Sequence, residues 1–157
     1  MRKLVYIESS IIGYLAARPS RDVVSLARQT ITLDWWETSK PSFDVLISQA
    51  VIDEISQGDA VAAARRKEAV FGIPVVSLTD HAAALAQKLL TENAVPKHSF
   101  IDALHIAIAT LNGADYILTW NFKHINNVQT KAKIAHVILH EGWISPTLCS
   151  PEDLLGE

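Results

Sequence analysis

The sequence predicts an α/β fold, an α/β/α sandwich whose central parallel sheet has about five strands. Short, compact apolar runs alternate with longer amphipathic stretches along the whole chain. The runs read as strands buried on both faces, which is how strands in a helix-covered parallel sheet read. Capping residues and Gly or Pro stops separate the two kinds of segment. The 157 residues suffice for one domain spanning 1–157 with a sizeable core. The chain carries no internal repeat, linker or low-complexity tract.

LVYI (Leu4 to Ile7) is the first strand, and the turn ESSIIGYL follows it, with Gly13 freeing the backbone. Ser20 suits the N-cap of a helix from Arg21 to about Thr38, which Pro41 ends. FDVLIS (Phe43 to Ser48) is a second strand, followed by a short helix from Ala50 to Ser56 that Gly58 stops. Asp59 caps an Ala-rich helix to Phe71, closed by Gly72 and Pro74. PVVSL holds a short third strand, and Thr79 caps a helix from about Asp80 to Thr91. Pro96 marks a loop, Ser99 caps the helix FIDALHIAIATLN, and Gly113 stops it. Asp115 to Thr119 is the fourth strand, a helix runs from about Asn127 to Glu141, and Thr147 to Cys149 is the fifth strand. Ser150 and Pro151 open a last helical turn.

Composition narrows the function. A hydrophobic content of 49% and a mean hydropathy of +0.18 exclude a disordered chain. Charged residues at 20% are fewer than usual, which leaves apolar surface for a partner, a second copy included. With a net charge of −3 and a pI near 6.0, no overall positive field attracts nucleic acid. Binding to RNA or DNA must then rest on a local basic rim and on metal ions. Cys149 is the only cysteine, so no disulfide forms within the chain, as suits a reducing cytoplasm. The N-terminal apolar stretch is broken by Glu8 and lacks a cleavage pattern, and no run is long enough to span a bilayer. A soluble cytoplasmic protein is expected.

Four segments place an acid or amide at an apolar run: Glu8 after LVYI, Glu54 in VIDEI, Asp102 in FIDALHIAIA and Asn121 after YILTW. Acids are costly beside a core unless they share a task. In open parallel sheets, ligands bind beyond the carboxyl ends of the strands, an edge that all four residues are placed to reach. Oxygen ligands of this kind suit Mg²⁺ or Mn²⁺. Such an ion activates water and neutralises phosphodiester charge, so the chemistry expected is phosphodiester hydrolysis. Each residue also has an ordinary alternative. Glu8 ends a strand facing water, Glu54 is a surface acid beside Asp53, Asp102 serves a helix N-terminus, and Asn121 makes a turn.

YIESSIIGYL, VIDEI, PKHSFIDALHIAIA and ADYILTWNFKHINN, in that order, resemble the PIN-domain nucleases and more narrowly the VapC-like toxins of bacterial type II toxin–antitoxin pairs. The terminal SPEDLLGE is similar to the ending of one branch of that family. The resemblance implies a PIN-like domain whose metal-binding acids fall on Glu8, Glu54 and Asp102, with Asn121 at a fourth position that is often Asp. It places Ser10 and Thr119 as supporting hydroxyls that orient ligands or water. Most relatives carry Asp at the first position, and Glu8 is one methylene longer. The resemblance also implies a ribonuclease with an RNA substrate, a small antitoxin partner and a homodimer.

Other features carry less. Lys97 and His98, with Lys123 and His124, form a candidate RNA-binding rim that holds phosphates without reading sequence. His105 lies one helical turn after Asp102 and reads as a satisfied, half-buried histidine. His136 and His140 have metal-compatible spacing but no third ligand nearby. Arg65, Arg66 and Lys67 read as a solvated helix face. One of Trp35 and Trp36 packs inside and the other is free to anchor a partner. Trp120 is a candidate base-stacking residue with an equal claim to a packing role. Cys149 has no His partner and does not read as a nucleophile. The alternatives are a non-catalytic PIN-like module that binds RNA or protein, and a small-molecule phosphohydrolase. The latter needs a nucleophilic Asp where the chain has Glu8.

Overall fold

The computed structural model describes residues 1–156. Glu157, the last residue of SPEDLLGE, lies outside the described residues. Five parallel strands form one sheet in the order β3-β2-β1-β4-β5, with seven α-helices around it. This is the expected α/β/α architecture. The most apolar run takes the centre: in β1 (Leu4–Ile7), Val5, Tyr6 and Ile7 are fully buried. β2 (Asp44–Ser48) pairs on one side of β1 and β4 (Tyr116–Leu118) on the other. The edges are short, with two residues in β3 (Val75–Val76) and three in β5 (Thr147–Cys149), which limits pairing with other chains.

Register positions the functional end of the sheet. Ile7 lies opposite Leu118, so Glu8 and Thr119 leave β1 and β4 side by side. The backbone N–H of Glu8 donates to the Leu118 carbonyl at 3.1 Å, carrying the ladder one residue past the strand. Tyr6 lies opposite Leu46, which brings Ser48, the last residue of β2, to the same edge.

Three helical expectations change. The segment read as a turn after β1 is a helix, α1 (Ser9–Ala16). Glu8 is its extended N-cap, and Ile11 and Ile12 are wholly buried. The packing of α1 against α2 and α4 outweighs the roughly 1 kcal/mol that Gly13 costs a helix. α2 (Val23–Asp34) starts later than expected, because Asp22 rather than Ser20 is the cap. The Asp22 carboxylate accepts the Ser25 N–H at 2.9 Å, and this bond holds its pKa below the ordinary carboxylate value. Ser20 Oγ instead accepts the Asp22 N–H. Regular α-helix ends at Asp34 rather than Thr38, widening into a π-turn over Trp35–Ser39. Trp35 enters the core and stacks on Phe43, while half-buried Trp36 lies under the Lys40 ammonium.

The remaining helices follow the pattern of the sequence except at the cap of α6. α3 (Gln49–Ile55) is capped by Ser48, α4 (Ala60–Ala69) by Asp59 and α5 (Asp80–Thr91) by Thr79. α6 (Phe100–Leu111) is buried at every residue from Ala103 to Thr110, as a helix apolar all round should be. Ser99 heads α6 but does not cap it, because its hydroxyl lies against His124 instead. α7 (Val128–His140) is capped by Asn127, and Ser150 with Asp153 forms a capping box on the final turn. Arg66 is not simply solvated, since its guanidinium donates to the Ile55 and Gln57 carbonyls at the end of α3. Cys149 is buried, and burial pushes its thiol up to about 12, consistent with an inert sulfur. No described helix is long and apolar enough to cross a membrane.

The segment after β4 is anchored from below. Trp120 Nε1 donates to Thr32 Oγ1 at 2.8 Å, and both residues are buried. Thr32→Val keeps the shape but removes that acceptor. It is expected to cost about 1–3 kcal/mol in urea denaturation, the penalty for a buried donor left unpaired.

Candidate active site

Glu8 is only 5% exposed, a severe position for a carboxylate. Its Oε1 accepts from Ser10 Oγ and Thr119 Oγ1, each at 2.5 Å. Each hydroxyl in turn accepts a backbone N–H from the exit of β4. Ser10 Oγ takes that of Trp120 at 2.9 Å, and Thr119 Oγ1 takes that of Asn121 at 3.0 Å. The two hydroxyls therefore tie β1 to the segment after β4 through one carboxylate oxygen. No hydrogen bond among the described residues reaches the other oxygen, Oε2.

Glu54 enters from α3. The polar side chains around it form a closed circuit. His105 Nε2 bonds Glu54 Oε1, His105 Nδ1 bonds Tyr6 Oη at 2.7 Å, and Tyr6 Oη bonds Ser48 Oγ at 2.7 Å. Ser48 closes the loop by capping α3, the helix that carries Glu54. Ser9 Oγ adds a bond to Glu54 Oε1 at 2.6 Å. Burial opposes the charge on Glu54, but the His105 hydrogen bond and charge, with the Ser9 bond, hold its pKa below the ordinary value. Burial likewise opposes a charged His105. The bond to Glu54 and the pull of Glu8, Glu54 and Asp102 outweigh it and raise the histidine's pKa. Tyr6 is raised by burial and stays a neutral phenol.

Candidate ligand atoms of Glu8, Glu54 and His105 all lie within 4.8 Å of one another. Asp102, on the first turn of α6, is outside this trio but close enough to His105 to act on it electrostatically. Its Oδ1 accepts from Asn121 Nδ2 at 3.1 Å and its Oδ2 pairs with His124 Nδ1 at 3.0 Å. The Asn121 oxygen accepts the His124 backbone N–H at 3.1 Å. In this arrangement Asn121 steadies Asp102 with its nitrogen while its oxygen fixes the loop.

The structure gathers Glu8, with Ser10 and Thr119, and Glu54 into one cluster, whereas Asp102 and Asn121 bond each other and lie outside the set whose ligand atoms come within 4.8 Å. Lys97 and Lys123 are exposed and precede His98 and His124, whose rings meet edge to face at 5.3 Å. A groove of about 360 Å³ opens beside Glu54, walled by Gln49, Gln57, Leu78, Ile101 and Leu104. A larger cavity of about 560 Å³ lies by Asp115 and Trp143, at the opposite edge of the sheet and away from the acids.

One sequence reading is corrected here and one pair of alternatives is decided. His105 is fully buried rather than half-buried, because it fills a gap between strand and helix and bonds at both nitrogens. Of the two readings of Trp120 the packing one holds: at 4% exposure its ring presents no face to a base. Sequence reasoning missed Tyr6, Ser9, Ser48 and the direct contact of His124 with Asp102. A signal existed for Tyr6, which is two residues before Glu8 and hence on the same face of the strand. The exposed rings of His136 and His140 stack, and no metal group among the described residues includes them.

The model of the PIN domain family matches residues 5–126. Among solved structures, Mycobacterium tuberculosis VapC20, a sarcin–ricin loop cleaving toxin, aligns with a TM-score of 0.60 at 17% identity, covering 76% of this chain and 91% of that one. VapBC2 from Rickettsia felis, bound to a DNA fragment from its promoter, aligns with a TM-score of 0.54 at 12% identity, covering 94% of this chain and 98% of that one. At such identities the likeness is one of fold. No curated protein sequence matches the chain.

Tyr6→Phe removes one oxygen from the circuit and leaves His105 Nδ1 and Ser48 Oγ facing an apolar ring. A loss of about 1–3 kcal/mol is expected in chemical denaturation.

Proposed function

The chain belongs to the PIN domain family, and we propose that it is a Mg²⁺- or Mn²⁺-dependent endoribonuclease acting as the toxin of a toxin–antitoxin pair. One observation carries this reading. A carboxylate that is 95% buried, with one oxygen free of hydrogen bonds, sits within 4.8 Å of a second carboxylate at the ligand-binding edge of a parallel sheet. Two acids so placed repel each other, His105 offsets part of that repulsion through its bond to Glu54, and a dication offsets more. The donor set fits a hard dication, because its free atoms are carboxylate oxygens and both nitrogens of His105 are already engaged.

Glu8, Glu54 and Asp102 would hold the ion, with Asn121 supporting the set through Asp102. A dication bound there supplies an activated water and neutralises charge on the phosphodiester. The chain's own groups do the positioning. Ser10 and Thr119 fix Glu8, His105 and Ser9 fix Glu54, and Asn121 and His124 fix Asp102. Lys97 and Lys123 hold flanking phosphates of the RNA substrate. In the hydrolysis a water oxygen bonds phosphorus, the bridging P–O bond breaks, and the departing oxygen takes a proton.

The toxin reading rests on the fold shared with a sarcin–ricin loop cleaving toxin and with VapBC2. A cognate antitoxin protein and a second copy of the chain are the partners it calls for. An uncovered apolar stripe on α2, with Val23, Leu26 and Leu33 all exposed, offers surface for them. A second reading, a non-catalytic PIN-like module that binds RNA or protein, draws on Asn121, a neutral residue whose oxygen is already spent on the backbone of His124.

Cleavage of total RNA with Mn²⁺ or Mg²⁺ and its loss in EDTA test the proposal. Glu8→Gln and Asp102→Asn should each lower cleavage at least about 100-fold, since a ligand matters no less than the groups that orient it. Their circular dichroism should be unchanged. Cleavage that persists in EDTA, or an Asp102→Asn variant that cuts normally, would sink the assignment. No Mn²⁺ binding at millimolar metal by calorimetry would favour the non-catalytic reading.

A further inference from the structure

Beside the acids stands a group that neither the fold nor the proposed chemistry requires. Phe122 directly follows Asn121 and is 37% exposed. The Arg28 guanidinium, carried by α2, lies over its ring at 5.1 Å and over Trp120 at 5.4 Å. Trp120 meets Phe122 edge to face at 5.8 Å, and Tyr14 meets Trp120 the same way at 6.1 Å. Arg28 donates to Tyr14 Oη at 3.2 Å and makes no ion pair among the described residues. A neighbouring groove of about 530 Å³, lined by neither Arg28 nor Phe122, has Tyr14, Arg18, Gln29 and Ser10 in its wall, and the Ser10 hydroxyl holds Glu8.

Most of this cluster is accounted for by packing. Trp120 is buried and bonded to Thr32. The outer faces of Phe122 and Arg28 are not. A cation that feels Asp22 only at long range and makes no ion pair among the described residues, held over a partly exposed aromatic ring, is costly to keep ordered unless something uses it. Unpaired nucleobases are held in this way, stacked on aromatic faces or guanidinium planes, while the positive charge favours the adjoining phosphate. A base inside a duplex offers no free face to such a surface. Resting on the nuclease reading above, we propose that Arg28 and Phe122 form a stacking platform for one unpaired nucleobase of the substrate. The platform places a single-stranded segment next to Glu8 and Asp102. Neither residue touches the acids, so both are binding residues.

The test measures binding separately from cleavage. A fluorescein-labelled single-stranded RNA octamer and its duplex are titrated in EDTA by anisotropy, with intrinsic Trp fluorescence followed in parallel. The single strand should bind more tightly than the duplex and perturb Trp emission. Arg28→Ala and Phe122→Leu should each weaken single-strand binding about 5- to 100-fold, the range for a lost base stack. Phe122→Tyr should restore it, and neither loss should move the thermal midpoint enough to unfold the chain. Equal binding of both RNA forms, or wild-type affinity in Phe122→Leu, overturns the platform. So does a result in which the variants bind RNA normally but lose self-association in sedimentation, since the surface would then serve a second copy. Weakened binding in a protein that never cleaves RNA with Mn²⁺ leaves the platform standing and removes the nuclease reading.

Discussion

The burial of Glu8 is the constraint around which the functional end of the molecule is built. A carboxylate at the tip of a central strand has lost its water and must be compensated by neighbours. Ser10 and Thr119 give it two hydrogen bonds, and both draw on backbone N–H groups of the segment after β4. The geometry of that segment therefore follows from the needs of one acid. So does its neighbour Asn121, which places Asp102 in reach of the same edge.

The two halves of the edge are fixed by different means. Glu8 is held by hydroxyls close to it in chain or sheet, so its position follows from strand register. Glu54 rides on a short helix and is half-exposed, so register alone cannot aim it. It is aimed instead by a histidine from the most buried helix, itself held by a tyrosine from the most buried strand. Rigid elements thus direct a side chain that would otherwise have several rotamers to choose from.

Much of the fold was legible because its signals are local. LVYI, FDVLIS and DYILT are runs too short and too apolar to be surface helices, and Asp59, Thr79 and Asn127 mark their helix starts. The misreadings arose where a longer-range effect decided. SSIIGYL looks like a turn because of Gly13, but two neighbouring helices hold it helical. Ser20 and Asp22 are both acceptable caps, and nothing local chooses between them. The acids Glu8, Glu54 and Asp102 could be picked out because each is an oddity in an apolar setting. Ser48 could not, because a serine before a helix is ordinary, and for Tyr6 the one signal was its place on the same strand face as Glu8. Their meaning lies in a meeting across 42 residues of chain. Trp120 drew notice as an aromatic beside a candidate ligand, yet it is Phe122, two positions on, that the loop leaves uncovered.

The ring of contacts from Tyr6 through Ser48 and α3 to Glu54 and His105 returns to its starting point. A linear chain of bonds frays from its end, but a ring has no end. α3 cannot lift from the sheet without giving up Ser48, and losing Ser48 frees Tyr6 and with it the imidazole. Partial loosening of this corner is therefore hard to populate, and the edge either keeps its geometry or surrenders it in one cooperative event.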